Sequence, residues 1–287
     1  LKTVAIVGVG LIGGSFALAL RRNGFGGRII GVSSPGTLEA ARARGVIDEG
    51  SPLEEAAARA DLIYLSHPIA RILDQLPHVA RLARPSALVT DAGSTKAAIV
   101  RRARECFGPQ SAIFLGGHPM AGKAERGVEA ADGNLFQGST YVLTPSDASV
   151  FSLQPVQQFC GWVETLGARI VTMDPDVHDR TVAFTSHLPQ MASTALAAAL
   201  FDTLEAGDAW TVAGGGLRDM TRLARSAYEL WRDICMTNTG NIERALSAYI
   251  QRLEHVRDNL RQPGLKEEFS KAARFAARLP KKQNNVT

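Results

Sequence analysis

Short, mainly apolar runs recur through the first half of the chain: Val4–Val7, Arg28–Val32, Asp61–Ser66, Ala87–Asp91 and Ala112–Gly116. Runs of this length without polar alternation read as strands buried on both faces, the habit of a parallel sheet. Helical patterns lie between them, beginning with the alanine- and leucine-rich Ser15–Arg22. Such alternation predicts an α/β fold with a doubly wound, mostly parallel sheet. Two more strands are predicted at Tyr141–Leu143 and Arg169–Val171, with a helical segment between them. Near Pro175 the pattern changes. Strand signals stop, and helical patterns take over: Asp179–Leu200 with Pro189 kinking or interrupting it, then a helix opened by Gly214-Gly215-Gly216, then Tyr228–Asn259. The last is amphipathic and too long for a lone surface helix, which predicts packing between subunits. The chain is therefore read as an α/β domain over 1–174 and an all-α domain over 175–287, with a polar, frayed tail at Lys281–Thr287.

The first strand runs into Gly8-Val9-Gly10-Leu11-Ile12-Gly13 and then a helix. In that setting Gly8 permits the tight turn, Gly10 lets the backbone approach a pyrophosphate, and Gly13 lets the helix pack closely on the sheet. Leu11 and Ile12 lie within the glycine loop and are counted among the cofactor-binding residues, and the free N–H groups of the helix that follows would face the anion. This is a Rossmann-type dinucleotide site. An acidic residue after the second strand would bond a ribose 2′-hydroxyl, but Ser33-Ser34 stands there. Hydroxyls tolerate a 2′-phosphate, so NAD and NADP both remain open. Ser66 and His67 end the third strand at the ligand-binding edge, where His67 either lines the cofactor cleft or is a plain loop histidine.

Three further places carry candidate chemistry. Ser94 and Thr95 follow the fourth strand, and either caps the next helix or presents a hydroxyl to substrate. His118, between Gly117 and Pro119, leaves the fifth strand on a rigid loop and is read as catalytic. Arg218, just beyond the triple glycine, is suited to fork a carboxylate, its bland alternative being an ion pair with a neighbour. The bulk numbers narrow the class. Hydrophobic residues at 45% and charged residues at 21% describe a globular protein. A net charge of +4 without a basic run interleaved with aromatics suits small anions and excludes a nucleic-acid reader. Cys106, Cys160 and Cys235 are odd in number and far apart, which predicts reduced cytoplasmic thiols and neither a disulfide framework nor a metal site. No apolar run approaches the roughly 18 residues of a membrane helix, and no secretory signal is expected.

Taken together, Gly8–Ser15, Asp91-Ala92-Gly93-Ser94-Thr95-Lys96, Gly117-His118-Pro119-Met120-Ala121-Gly122, Ser186-His187-Leu188-Pro189 and Gly216–Arg222 resemble the prephenate and arogenate dehydrogenase family. The resemblance spans nearly the whole chain. It implies a Rossmann domain followed by a helical dimerisation domain, a homodimer, and oxidative decarboxylation of prephenate (or arogenate) in tyrosine biosynthesis. It further implies that His118 takes the proton of the ring hydroxyl, that Ser94 shares that hydroxyl, that His187 lies near nicotinamide and substrate, and that Arg218 binds a substrate carboxylate. Gln190 stands where family members often carry a second histidine, and is placed among the substrate contacts. No appended regulatory domain is expected after residue 287. Two rivals are weaker. A β-hydroxyacid dehydrogenase would rely on a lysine in the helical half, yet none occurs between Lys123 and Lys266. A non-catalytic dinucleotide sensor would have no use for His118, Ser94 and Arg218 together.

Overall fold

A computed structural model describes residues 1–123, 125–204 and 211–279. The polar tail at Lys281–Thr287 lies outside the described residues. An eight-stranded sheet is built from β1 (Thr3–Val7), β2 (Arg28–Val32), β3 (Glu49–Gly50), β4 (Leu62–Leu65), β5 (Leu88–Asp91), β6 (Ile113–Pro119), β7 (Thr140–Thr144) and β8 (Arg169–Thr172). Its order is β3-β2-β1-β4-β5-β6-β7-β8, and every pairing is parallel except β6 with β7. Helices α1 (Leu11–Arg22), α2 (Pro35–Ala43), α3 (Leu53–Arg59), α4 (Ile69–Leu82), α5 (Ala97–Cys106) and α6 (Gln154–Thr165) connect the strands.

The apolar runs are unbroken because both faces of the sheet are covered. Val4, Ile6, Leu62, Tyr64 and Leu88 enter one buried cluster, while Ala5, Val7, Ile63, Leu65 and Val89 enter the other. Alternate residues thus serve opposite faces, as the pleat requires. On the first face Phe16 stacks on Tyr64 with ring centroids 4.2 Å apart, and Tyr141 donates a 3.2 Å hydrogen bond to the Tyr64 hydroxyl. The two-residue β3 gave no periodicity to read, so the sequence pattern missed it.

The helical half comprises α7 (Pro175–Val182), a π-helical turn (Ala183–His187), α8 (Leu188–Thr203), α9 (Gly215–Thr221), a 3-10 turn (Arg222–Arg225), α10 (Tyr228–Asp258) and α11 (Gly264–Ala276). The helix expected over Asp179–Leu200 is therefore two helices. Asp174 caps the first by accepting from the N–H groups of Asp176 and Val177. Pro189 falls in the first turn of α8, and the missing N–H is accommodated by the π turn just before it. The long α10 is kinked at Asn238 (φ −132°, ψ 24°). Ile234 and Ile242, on either side of that kink, join the second buried cluster of the sheet. Among the described residues, no helix is long and apolar enough to cross a membrane.

Candidate active site

Strand order reverses about β1: β2 and β3 lie to one side, and β4 follows on the other. Ligands of such sheets bind at the carboxyl ends of the strands beside that switch. The β1–α1 turn and the end of β4 meet there. Gly8 has φ +101°, and a Cβ on it would stand 2.8 Å from the ring of His67 and from the Ser66–His67 backbone. A Cβ on Gly13 would collide with the Gly8 carbonyl and the Ser66 hydroxyl. Ser66 donates a 2.8 Å hydrogen bond to the Gly8 carbonyl and so ties the turn to β4. Around Gly10, by contrast, nothing of the protein lies within 4 Å of where a Cβ would be. No side chain caps α1 and no acid lies in its first turn, which begins at Leu11 and Ile12. Open space at Gly10 and an uncapped helix end form a cradle for an anion. His67 donates from Nδ1 to Gln75 Oε1 at 2.9 Å, and burial lowers its pKa. Ser34 is exposed and shares a 2.9 Å hydrogen bond with Thr37, beside half-buried Ser33.

The second half of the site is assembled by β6, which changes partner along its length. Ile113–Leu115 pair with β5, whereas Gly116–Pro119 pair with β7 in the antiparallel sense. His118 was expected on a loop, but it lies within this strand, opposite Val142. The ladder, and not a glycine–proline loop, fixes its backbone. Asp91, at the end of β5, accepts from Gly117 N at 3.1 Å, from Gly93 N at 2.8 Å and from Lys96 Nζ. Lys96 also donates to the Gly117 carbonyl at 2.6 Å. Both members of this ion pair are fully buried. The pair joins the strand that carries His118 to the loop that carries Ser94.

Neither Ser94 nor Thr95 caps α5. Thr95 is buried and shares a 2.8 Å hydrogen bond with Thr237 of α10. The cap comes from another helix: Asp179 of α7 accepts from Lys96 N at 2.7 Å and Ala97 N at 2.9 Å. Its Oδ1 also receives His178 Nδ1 at 2.7 Å, and His178 Nε2 lies 2.8 Å from His118 Nδ1. Burial drives the His118 pKa well below the ordinary histidine value, aided by His178, Lys96 and His187. His118 is thus neutral, and its Nε2 forms no hydrogen bond among the described residues.

His187, at the end of the π turn, is buried. Asn238 Nδ2 donates to its Nδ1 at 3.2 Å and to the Asp179 carbonyl at 2.8 Å. The Asn238 kink in α10 therefore belongs to the site. Burial lowers the His187 pKa to about 4, against a raising influence from Asp179. Trp231 stands edge-on to the His187 ring with centroids 5.7 Å apart. Gln190 is buried, and both its amide hydrogens are spent, on Thr194 Oγ1 at 3.1 Å and the Leu223 carbonyl at 2.9 Å. Only its Oε1 is left for a ligand. Arg218 is exposed on α9, and its guanidinium forms no ion pair or hydrogen bond among the described residues.

Comparison with known proteins supplies the family. The profile of the prephenate dehydrogenase nucleotide-binding domain matches residues 16–172, and that of the prephenate dehydrogenase dimerization domain matches 174–274. The chain belongs to the prephenate dehydrogenase family. It is 33% identical to the prephenate dehydrogenase of Bacillus subtilis, a match covering 99% of this chain and 78% of that one. The solved prephenate dehydrogenase of Aquifex aeolicus, in complex with hydroxyphenyl propionate and NAD+, is 32% identical with a TM-score of 0.86, covering 96% of this chain and 97% of the other. Synechocystis arogenate dehydrogenase is 34% identical with a TM-score of 0.78, covering 96% and 99%. In this family member the sequence motifs omit the groups that bind the site together. His178, Asp179 and Asn238 fall in helical patterns, where a buried polar side chain has no local signature. A signal was present in His178-Asp179, two charged-type residues where α7 turns its buried face.

Proposed function

We propose that this chain catalyses the dinucleotide-dependent oxidative decarboxylation of prephenate to 4-hydroxyphenylpyruvate. The observation that carries the reading is His118: buried, neutral, bare at Nε2, and joined through Asp91 and Lys96 to the Ser94 loop. The turn from Gly8 to Gly13, with space reserved at Gly10, fits a dinucleotide pyrophosphate. Gly8, Gly10, Leu11, Ile12 and Gly13 would hold it, with Ser66 and His67 behind the turn and Ser33 and Ser34 at the adenosine ribose. When bound, the nicotinamide accepts a hydride from the carbinol carbon.

The residues of the chain position the substrate and move one proton. His118 Nε2 takes the proton of the ring hydroxyl as that carbon becomes a carbonyl, and Ser94 orients the hydroxyl. Loss of carbon dioxide then returns the bonding electrons to the ring, which becomes aromatic, and His118 Nε2 gives the proton back to the new phenolic oxygen. His187 lies on the same hydrogen-bonded cluster, and its neutral ring borders the site without adding charge. Arg218 holds a substrate carboxylate, and Gln190 Oε1 is the atom available to the side chain. The test follows reduced-cofactor absorbance with prephenate and arogenate, each with NAD+ and NADP+. Turnover of prephenate supports the reading. Silence in all four mixtures overturns it, and turnover of arogenate alone reassigns the substrate.

Two variants extend the test. Arg218→Leu is expected to raise KM for prephenate roughly 10- to 100-fold, the value of a charge-assisted hydrogen bond of about 1.5–3 kcal/mol, with KM for the cofactor unchanged. An unaltered KM for prephenate would remove Arg218 from the substrate site. With no carboxylate at Ser33 or Ser34, a 2′-phosphate meets no repulsion, so NADP+ is accepted as well as NAD+. Ser33→Asp should favour NAD+ by at least about tenfold in kcat/KM, because the new charge repels the 2′-phosphate and accepts from the ribose. Equal use of both cofactors by the variant would place the ribose elsewhere.

We also place a second copy of the chain on the helical half, which carries the dimerization domain. Phe201, Val212, Tyr228, Met236, Phe269 and Phe275 are all exposed there, an apolar surface that water disfavours. The purified protein should sediment with the mass of two chains, and a single-chain species would refute the homodimer. Its three unpaired cysteines suit the reducing cytoplasm.

A further inference from the structure

The hydrogen bonds around His118 have a direction, and a carboxylate in another helix sets it. Asp179 accepts from the Lys96 and Ala97 N–H groups, and its oxygens have nothing to donate. His178 Nδ1 is therefore the donor in the 2.7 Å bond to Asp179 Oδ1. Where the His178 ring carries one proton, the bond to Asp179 places it on Nδ1, so Nε2 has none and can only accept there. His118 Nδ1, 2.8 Å away, must be the donor, and neutral His118 is left with a bare Nε2. We propose that His178 and Asp179 are positioning residues that hold His118 in the one tautomer whose Nε2 can take the substrate proton. The inference rests on the reaction proposed above and assigns that reaction two residues which neither touch the substrate nor serve only as packing.

The surroundings support this polarity. His118 is faced by Lys96 from the β5–α5 segment, by His178 from α7 and by His187 from the π turn, with Asp91 behind Lys96 and Asp179 behind His178. Lys96 and burial oppose a second proton on His118 and keep the ring neutral at rest. When Nε2 takes the substrate proton, the cation retains its Nδ1–H bond to His178, which is in turn anchored by the Asp179 carboxylate. No proton needs to travel to Asp179. The opposite tautomer, with a proton on Nε2 of both histidines, would leave His118 Nδ1 as acceptor and would break the His178–Asp179 bond.

Two measurements test the relay on the full chain. In the first, histidine is labelled with ¹⁵N and the ring tautomers are read from long-range ¹H–¹⁵N spectra without substrate. Wild-type His118 is expected to show a protonated Nδ1 and a pyridine-like Nε2. A proton on Nε2 would overturn the proposal. In the second, His178→Phe and His178→Gln are compared in kcat, KM and pH profile. The phenyl ring cannot accept from His118, so kcat should fall about 100-fold or more, with KM for the cofactor unchanged. Glutamine keeps an oxygen near the position of Nε2 and should recover kcat to within about tenfold of wild type. If His178→Phe keeps both the tautomer and kcat of wild type, the relay is refuted although prephenate turnover stands. The wild-type tautomer decides the matter even if His178→Phe does not fold. Turnover by wild type and the His118 tautomer are read separately, so the reaction and the relay fail independently.

Discussion

Replacing His118 by alanine is expected to lower kcat with prephenate about a thousandfold, within the range of 10²–10⁴ that a positioned general base contributes. Dinucleotide binding should persist, because the Gly8–Gly13 turn and its Ser66 tie do not involve His118. Residual turnover comes from positioning and from aromatisation of the ring. Titration of dinucleotide by protein fluorescence, paired with steady-state kinetics, separates the two quantities. Retained kcat would remove His118 from the proton transfer and leave that task to another group.

The pH dependence follows from the same burial. His118 must be neutral to act, and its pKa is held well below the ordinary histidine value. The acid limb of kcat/KM should therefore lie below pH 6.5, and an acid limb centred at or above that value would contradict the assignment. Stability has its own dependence, through His118 and His187, both depressed in the folded state. Above about pH 6.5 neither the folded nor the unfolded form binds these protons. As pH falls below that value the unfolded chain takes them up first, so stability is lost, by up to about 1.4 kcal/mol per pH unit for each group. For His187 the loss levels off near its folded value of about 4.

Lys96→Met should destabilise the protein by about 3–5 kcal/mol, the cost of leaving a buried charge without its partner. Asp91 and Lys96 are both fully buried, and the carboxylate retains only the Gly93 and Gly117 N–H groups once the ammonium is gone. Methionine fills nearly the volume of the lysine stem, so cavity formation contributes little. A fall in the urea midpoint at unchanged m-value measures the effect. Adding Asp91→Asn to Lys96→Met should recover part of the loss by removing the orphaned charge. A change under about 1 kcal/mol for the single variant would mean that Asp91 finds water or another donor. Because the pair joins β5, the Ser94 loop and β6, a folded variant should also lose kcat.

What the amino-acid order determines here is local. Unbroken apolar runs such as Val4–Val7 predict strands covered on both faces, and both faces of β1 are covered. The Gly8–Gly13 spacing marks the turn, since positive φ at Gly8 and the close approach at Gly13 are requirements of single residues that only glycine meets. Pro189 announces the break ahead of α8 for the same reason. His118, Ser94, His187 and Arg218 were visible as chemical types in legible motifs. Only the tertiary structure decided what those residues touch. Asp179 is 82 residues from Ala97 in sequence, yet it caps α5 and orders the tautomers of two histidines. Asn238 reaches His187 across 51 residues through a kink that its own helical periodicity conceals. The partner change in β6 also escaped the pattern, because an apolar strand looks the same beside β5 as beside β7. Periodicity records which way a side chain faces its own element. Hydrogen bonds between buried polar groups depend on how separate elements meet, and no local pattern carries that.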